Sequence, residues 1–254
     1  MNTALLYSAV LRASPLLALI AGALTVLSFA PFQLWPVQIA TLAFVFWLVL
    51  QQTSVKRGTL IGWAYGFGWT ACGVHWLYIS MHRYGGLPSW MAVLAVIALA
   101  LVLGAFAALA MGGGAWFRRR GASATVSLLV IFPALWMLSE WLRGWVLTGF
   151  PWIVSGYAHT DSPLAGFAPV VGVYGLGWLA ALIAGSLVLL QSRKLALAPV
   201  ILIARAWLTD AEMSFRVYGM PFLQLAFIGV LIFYQIRVIV LYFRILKAPL
   251  AVKS

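Results

Sequence analysis

Apolar runs divide this chain at about residues 8–28, 37–52, 58–80, 88–114, 123–147, 163–190, 195–208 and 221–243. A helix that crosses a bilayer needs roughly 20 mostly apolar residues, because each residue rises about 1.5 Å through a hydrocarbon layer about 30 Å thick. Most of these runs meet that length, and the seventh is the shortest. With 65% hydrophobic residues and four acidic ones (Glu140, Asp161, Asp210, Glu212), too little polar surface exists to enclose a water-soluble core. The sequence therefore predicts an all-α fold: a polytopic membrane helix bundle of about eight transmembrane helices.

The formal charge of +12 does not point to nucleic acid. Its bases stand in short clusters between apolar runs: Lys56-Arg57, Arg118-Arg119-Arg120, Arg193-Lys194, and Arg244, Lys247 and Lys253. A nucleic-acid surface needs a continuous basic stripe on a soluble domain. Lys and Arg in short loops instead stay on the cytoplasmic side during insertion. Eight spans with all four clusters inside place both termini in the cytoplasm. They leave Arg83, Arg143, Arg205 and Arg216 outside or at helix edges. Residues 8–28 end in Ser28-Phe29-Ala30, a pattern shared with signal peptides. Arg12 is not at the extreme terminus and Pro31 would be the first mature residue, so the run is read as a retained helix.

Glu140 is the most informative single residue. Arg143, three positions on, shares its helix face and can form an ion pair. Ionisable groups in spanning segments generally face a cavity or the bundle interior. The pair admits two readings: a functional site, or a pin that fixes the helix end near the headgroups. After it, the stretch from Gly149 to Pro163 carries Phe150-Pro151-Trp152, Tyr157, His159 and Asp161 on the outer side. Aromatics at a membrane end usually form an interfacial belt, which accounts for most of the 13 tryptophans. Gly66, Gly68 and Gly73 on the third run are read as packing positions where helices approach closely.

No catalytic group assembles from these residues. Cys72 lies in an apolar, aromatic-rich segment and is expected to be buried, which raises a thiol's pKa and leaves it inert. Every lysine belongs to a cytoplasmic cluster or tail and cannot activate it. His75, His82 and His159 show no i, i+3 or i, i+4 repeat and no adjoining carboxylate pair, so no metal site is expected. No phosphate loop, dinucleotide fingerprint or Gly-x-Ser-x-Gly elbow occurs, and no cofactor is expected.

Four segments resemble one known family in order and spacing. They are Ser28–Pro36 (SFAPFQLWP); Gly73–Ser80 followed by Tyr84-Gly85-Gly86-Leu87-Pro88; Glu140-Trp141-Leu142-Arg143-Gly144-Trp145 continuing through Phe150-Pro151-Trp152 to Tyr157; and Pro163–Pro169 with Gly172–Gly175. The family is apolipoprotein N-acyltransferase, and the resemblance covers about residues 1–200. It implies eight membrane helices in the bacterial inner membrane, with a nitrilase-like outer domain between helices seven and eight. It also implies acyl transfer from a phospholipid to the amino-terminal diacylglyceryl-cysteine of an apolipoprotein. The family's catalytic Glu, Lys and Cys belong to the outer domain, where the cysteine forms a thioester. Here the segment between the last two runs, 209–220, is far too short for a domain.

The organisation expected is a membrane domain over 1–208, a short outer linker at 209–220, and a last helix with a basic tail over 221–254. The chain reads as a truncated or divergent acyltransferase with no catalytic residue of its own, and pairing with a separate nitrilase-like chain would favour the enzyme reading. Glu140, Arg143, Phe150, Pro151, Trp152 and Tyr157 are the expected substrate-binding residues. A lipid- or lipoprotein-binding scaffold and a small transporter or flippase are the alternatives. Transport is disfavoured by the scarcity of intramembrane charge.

Overall fold

A computed structural model describes residues 3–190, and among them every regular element is helical. Helices α1 (Thr3–Arg12) and α2 (Ser14–Thr25) divide the first apolar run at Ala13. Arg57 Nη2 donates to the carbonyls of Leu11 and Arg12 at the end of α1, where a cation offsets the unpaired acceptors of a helix terminus. Helix α3 (Trp35–Leu50) starts with Pro36 in its first turn, where a missing N–H costs nothing. Helix α4 (Val55–Gly73) continues through the short α5 (Trp76–Ile79) into a π-helical turn at Ser80–Tyr84.

Helix α6 (Ser89–Arg119) has 31 residues, about 46 Å of rise, and so exceeds the bilayer core. A short α7 (Ala124–Val126), a π-helical turn and α8 (Phe132–Arg143) form one 20-residue apolar span. Helix α9 (Ala168–Leu190) closes the described bundle, with a break at Gly172, whose φ of 64° an L-residue rarely adopts.

Three spans are long and apolar enough to cross a membrane: Ser89–Arg119, Ala124–Arg143 and Pro163–Leu190. Ser14–Ser28 and Trp35–Leu50 are shorter apolar helices. The expectation of eight spans is therefore met only in part. Runs 195–208 and 221–243, with the 209–220 linker, lie outside the described residues.

Helix α4 packs between α2 and α6. Glycine makes both contacts: a Cβ on Gly22 would strike the Tyr65 carbonyl, and one on Gly66 would come within 2.9 Å of the Gly104 Cα. Close backbone approach through small residues is how helices associate in lipid, where apolar burial supplies no drive. At the centre, Phe46 of α3 stacks on Phe132 of α8, with ring centroids 4.8 Å apart. Thr25, Thr41 and Tyr65 tie α2, α3 and α4 through hydroxyl contacts of 2.8–3.4 Å.

One expectation is overturned: Cys72 is exposed. Its apolar neighbourhood was read as burial, yet in a membrane bundle the lipid-facing surface is as apolar as the core.

Candidate functional site

Helix α8 ends at Arg143 because Gly144 and the following segment turn the chain back. The Phe150 N–H donates to the Arg143 carbonyl at 2.7 Å. Gly149 takes a φ of 83°, and a Cβ there would strike the Gly144 carbonyl. The β-branched Thr148 (φ 74°) and Ile153 (φ 51°) also adopt the left-handed region, a conformation such residues hold only where their surroundings impose it.

The end of this segment is held by Glu140. The Ser155 backbone N–H donates to Glu140 Oε1 at 2.7 Å, and the Ser155 hydroxyl donates to Oε2 at 2.5 Å. Trp136 Nε1 in turn donates to the Ser155 oxygen at 3.2 Å. The donor chain runs one way, from indole to hydroxyl to carboxylate, so both carboxylate oxygens act as acceptors. Gly177 of α9 leaves the space: a Cβ there would lie 2.5 Å from Ser155 Oγ and 2.9 Å from Glu140 Oε2. Glu140 is 3% exposed and Arg143 4%, so the pair lies inside the bundle rather than on an exposed rim.

Arg143 is held less completely. Its Nη2 stands 3.6 Å from Glu140 Oε1 and 3.4 Å from the Ile153 carbonyl. The guanidinium carbon lies over the Trp69 ring, 5.5 Å from its centroid. Trp69 stacks on Trp136 at 5.6 Å, with the planes 13° apart. Beside this stack a small cavity of about 20 Å³, room for about one water, opens between α4, α6 and α8, with Glu140 and Arg143 in its wall.

The other expected binding residues lie along the clasped loop. Phe150 is half-buried and packs against Trp152, ring centroids 5.1 Å apart. Pro151, Trp152 and Tyr157 are exposed. The structure thus brings Glu140 and Arg143 into one buried cluster and strings Phe150, Pro151, Trp152 and Tyr157 along the segment that the cluster anchors. Ser155, Trp69, Trp136 and Gly177 were missed. Ser155 stands 15 residues from Glu140 and Trp69 stands 71, separations that no helical period links.

His159 belongs to a different buried group. Its Nε2 faces Gln38 Oε1 at 3.1 Å and its Nδ1 faces Ser162 Oγ at 3.2 Å. Burial pushes the imidazole down to about 4, so it is neutral near pH 7. Because Gln38 Oε1 can only accept, Nε2 carries the proton.

Fold and site together define an all-helical membrane bundle with a buried ion pair clasping an aromatic loop. Residues 21–186 match the family model of the apolipoprotein N-acyltransferase N-terminal domain. The chain is 46% identical over 204 residues to an apolipoprotein N-acyltransferase of Ralstonia nicotianae, covering 77% of this chain and 38% of the relative. It is 42% identical over 197 residues to the one of Shewanella oneidensis, covering 75% and 37%. For the one of Pseudomonas syringae pv. tomato it is 41% over 212 residues, covering 81% and 41%. The chain belongs to the apolipoprotein N-acyltransferase family, and its matched part spans about two-fifths of those relatives' length.

Proposed function

We propose that this chain serves as the membrane half of a lipoprotein N-acyltransferase. In that reading an acyl chain moves from a membrane phospholipid to the α-amine of a diacylated apolipoprotein, within lipoprotein maturation. The observation that carries it is that the matched stretch, 21–186, contains the whole clasped loop with its buried anchor. The chain sits in the bacterial inner membrane with both termini cytoplasmic, as the basic clusters favour. In this reading the membrane domain runs over 1–208, of which residues 3–190 are described, and the expected linker at 209–220 and tail at 221–254 lie outside the described residues.

Glu140 and Arg143 anchor the mouth of a lipid-access cleft, and Phe150, Pro151, Trp152 and Tyr157 form its aromatic lip. Exposed aromatics at this level suit acyl chains and glycerol backbones, since one ring presents both an apolar body and a polar tip. Acyl transfer needs an activated nucleophile, and a nitrilase-like partner chain supplies the Glu, Lys and Cys of a thioester mechanism.

The test combines the purified 254-residue chain, phospholipid, a diacylated lipopeptide and a separately produced nitrilase-like domain. Triacylated product is expected only when chain and domain are both present, and Trp152→Ala should slow its formation. Product formation by the chain alone that disappears in Cys72→Ser would overturn the division of labour. Product formation by the domain at the same rate without the chain would overturn the membrane-half reading.

A further inference from the structure

Arg143 makes its polar contacts among the described residues through Nη2, to Glu140 Oε1 at 3.6 Å and to the Ile153 carbonyl at 3.4 Å. Its Nε is buried and has no hydrogen-bond partner among those residues, and the same holds for Trp69 Nε1. Arg143 is 4% exposed and Trp69 2%. Both residues line the one small cavity between α4, α6 and α8. A buried N–H that has given up water without gaining another acceptor carries the full cost of its desolvation. Two such donors on one cavity therefore point to an acceptor inside it.

Size and charge restrict what that acceptor is. The cavity measures about 20 Å³, which one water fills and a larger molecule does not enter. The guanidinium already faces the Glu140 carboxylate, so the pair as a whole is neutral. An added anion would be buried there without a countercharge. The occupant is small and uncharged, and it accepts twice.

The wall also offers it acceptors in return. Thr70 of α4 and Ser139 of α8 both stand in the lining, each with a hydroxyl. The Ser139 hydroxyl gives its hydrogen to the Trp136 carbonyl at 2.8 Å, which leaves its oxygen to accept. Leu103, Phe106 and Ala107 of α6 close the other side with apolar groups. Two donors and two acceptors around a space of this size match a buried water, which needs two to four polar partners.

We propose that this cavity is a binding site for a single structural water, which accepts from Arg143 Nε–H and Trp69 Nε1–H and donates to the hydroxyl oxygens of Thr70 and Ser139. The water makes the guanidinium a two-sided tie. On its Nη2 side Arg143 reaches the Ile153 carbonyl in the loop after α8. On its Nε side it meets α4 over the Trp69 ring, and the water adds a hydrogen-bonded link to the same helix. The site belongs to the bundle itself and does not depend on the acyl-transfer reading.

A crystal structure of the full chain at about 2 Å resolution tests this, grown once in chloride and once in bromide. One peak is expected about 2.7–3.2 Å from both nitrogens, with no anomalous signal in the bromide crystal. A cavity without density, in a map that shows other buried waters, would overturn the proposal. An anomalous peak would overturn it too, by making the occupant a halide.

Thr70→Val keeps the side-chain shape and removes one acceptor. It should weaken the peak and lower the melting temperature in detergent by about 2–4 °C. An unchanged or raised melting temperature is what a dry cavity gives when its wall becomes more apolar, and it would overturn the polar site.

Discussion

Glu140 and Ser155 are joined through two separate atom pairs, a backbone N–H to Oε1 at 2.7 Å and a hydroxyl to Oε2 at 2.5 Å. A helix-borne carboxylate thereby holds the start of the 3-10 turn Ser155–His159, accepting the N–H of its first residue. It fixes the segment after α8 through a backbone N–H, which every substitution at 155 except proline retains. The clasp also divides the charges of the Glu140–Arg143 pair unequally. Its acid accepts two short hydrogen bonds from Ser155, whereas its base makes only longer contacts, to Glu140 at 3.6 Å and to the Ile153 carbonyl at 3.4 Å.

Glu140→Gln should destabilise the chain by about 3 kcal/mol, because the amide turns a donor toward Ser155 and leaves Arg143 as an uncompensated buried charge. Ser155→Ala should lose about 1–2 kcal/mol, since the backbone N–H still reaches Oε1. The double variant should cost less than the sum, with a coupling near 1 kcal/mol. Unfolding in detergent reads all three, and strict additivity would mean that the two side chains do not act through each other.

Gly177→Ala places a methyl group 2.5 Å from Ser155 Oγ and 2.9 Å from Glu140 Oε2. It should destabilise by about 1–3 kcal/mol and loosen the Phe150–Trp152 loop, seen as faster proteolysis there. Gly166→Ala is the control: nothing lies within 4 Å of its added Cβ, and its effect should stay within about 0.5 kcal/mol. Equal effects of the two substitutions would dismiss α9 as the wall of the clasp.

His159 makes stability depend on pH in a stated window. Its folded value of about 4 lies below the ordinary 6.5, so the unfolded chain takes up a proton first as pH falls. Its contribution is fully retained above pH 6.5, declines between 6.5 and 4, and levels off below that, a loss of about 3 kcal/mol in all. Melting temperatures at pH 7 and pH 4.5 should converge in His159→Gln relative to wild type. An identical pH dependence in the variant would assign the effect to other groups.

The basic clusters set the expected topology. Reporter fusions after Leu50, Gly114, Gln191 and Ser254 should all report cytoplasm. A periplasmic signal after Gly114 or Gln191 would invert the orientation proposed for the bundle.

Much of the scaffold was legible because one solvent dictates it. Apolar runs of bilayer length read as helices, and the observed spans Ser89–Arg119, Ala124–Arg143 and Pro163–Leu190 fall where those runs do. The Glu140–Arg143 contact was legible too, since i, i+3 spacing is a local property of one helix. So was the close packing at Gly66, whose Cβ position meets the Gly104 backbone.

Orientation within the bundle was not legible. Hydropathy separates lipid from water but not lipid from core, so Cys72 was placed inside and lies outside. The sequence by itself determined an all-helical membrane bundle with a Glu140–Arg143 pair near the end of a span, and it left open whether that pair is buried. Only the tertiary structure decided what each member of that pair holds: Glu140 the Ser155 end of the loop, and Arg143 the Trp69 ring and the Ile153 carbonyl. That division depends on Ser155 reaching Glu140 across 15 residues, on Trp69 arriving from α4, and on Gly177 making room from α9. Such contacts follow from helices packing in three dimensions, and no periodicity along the chain encodes them.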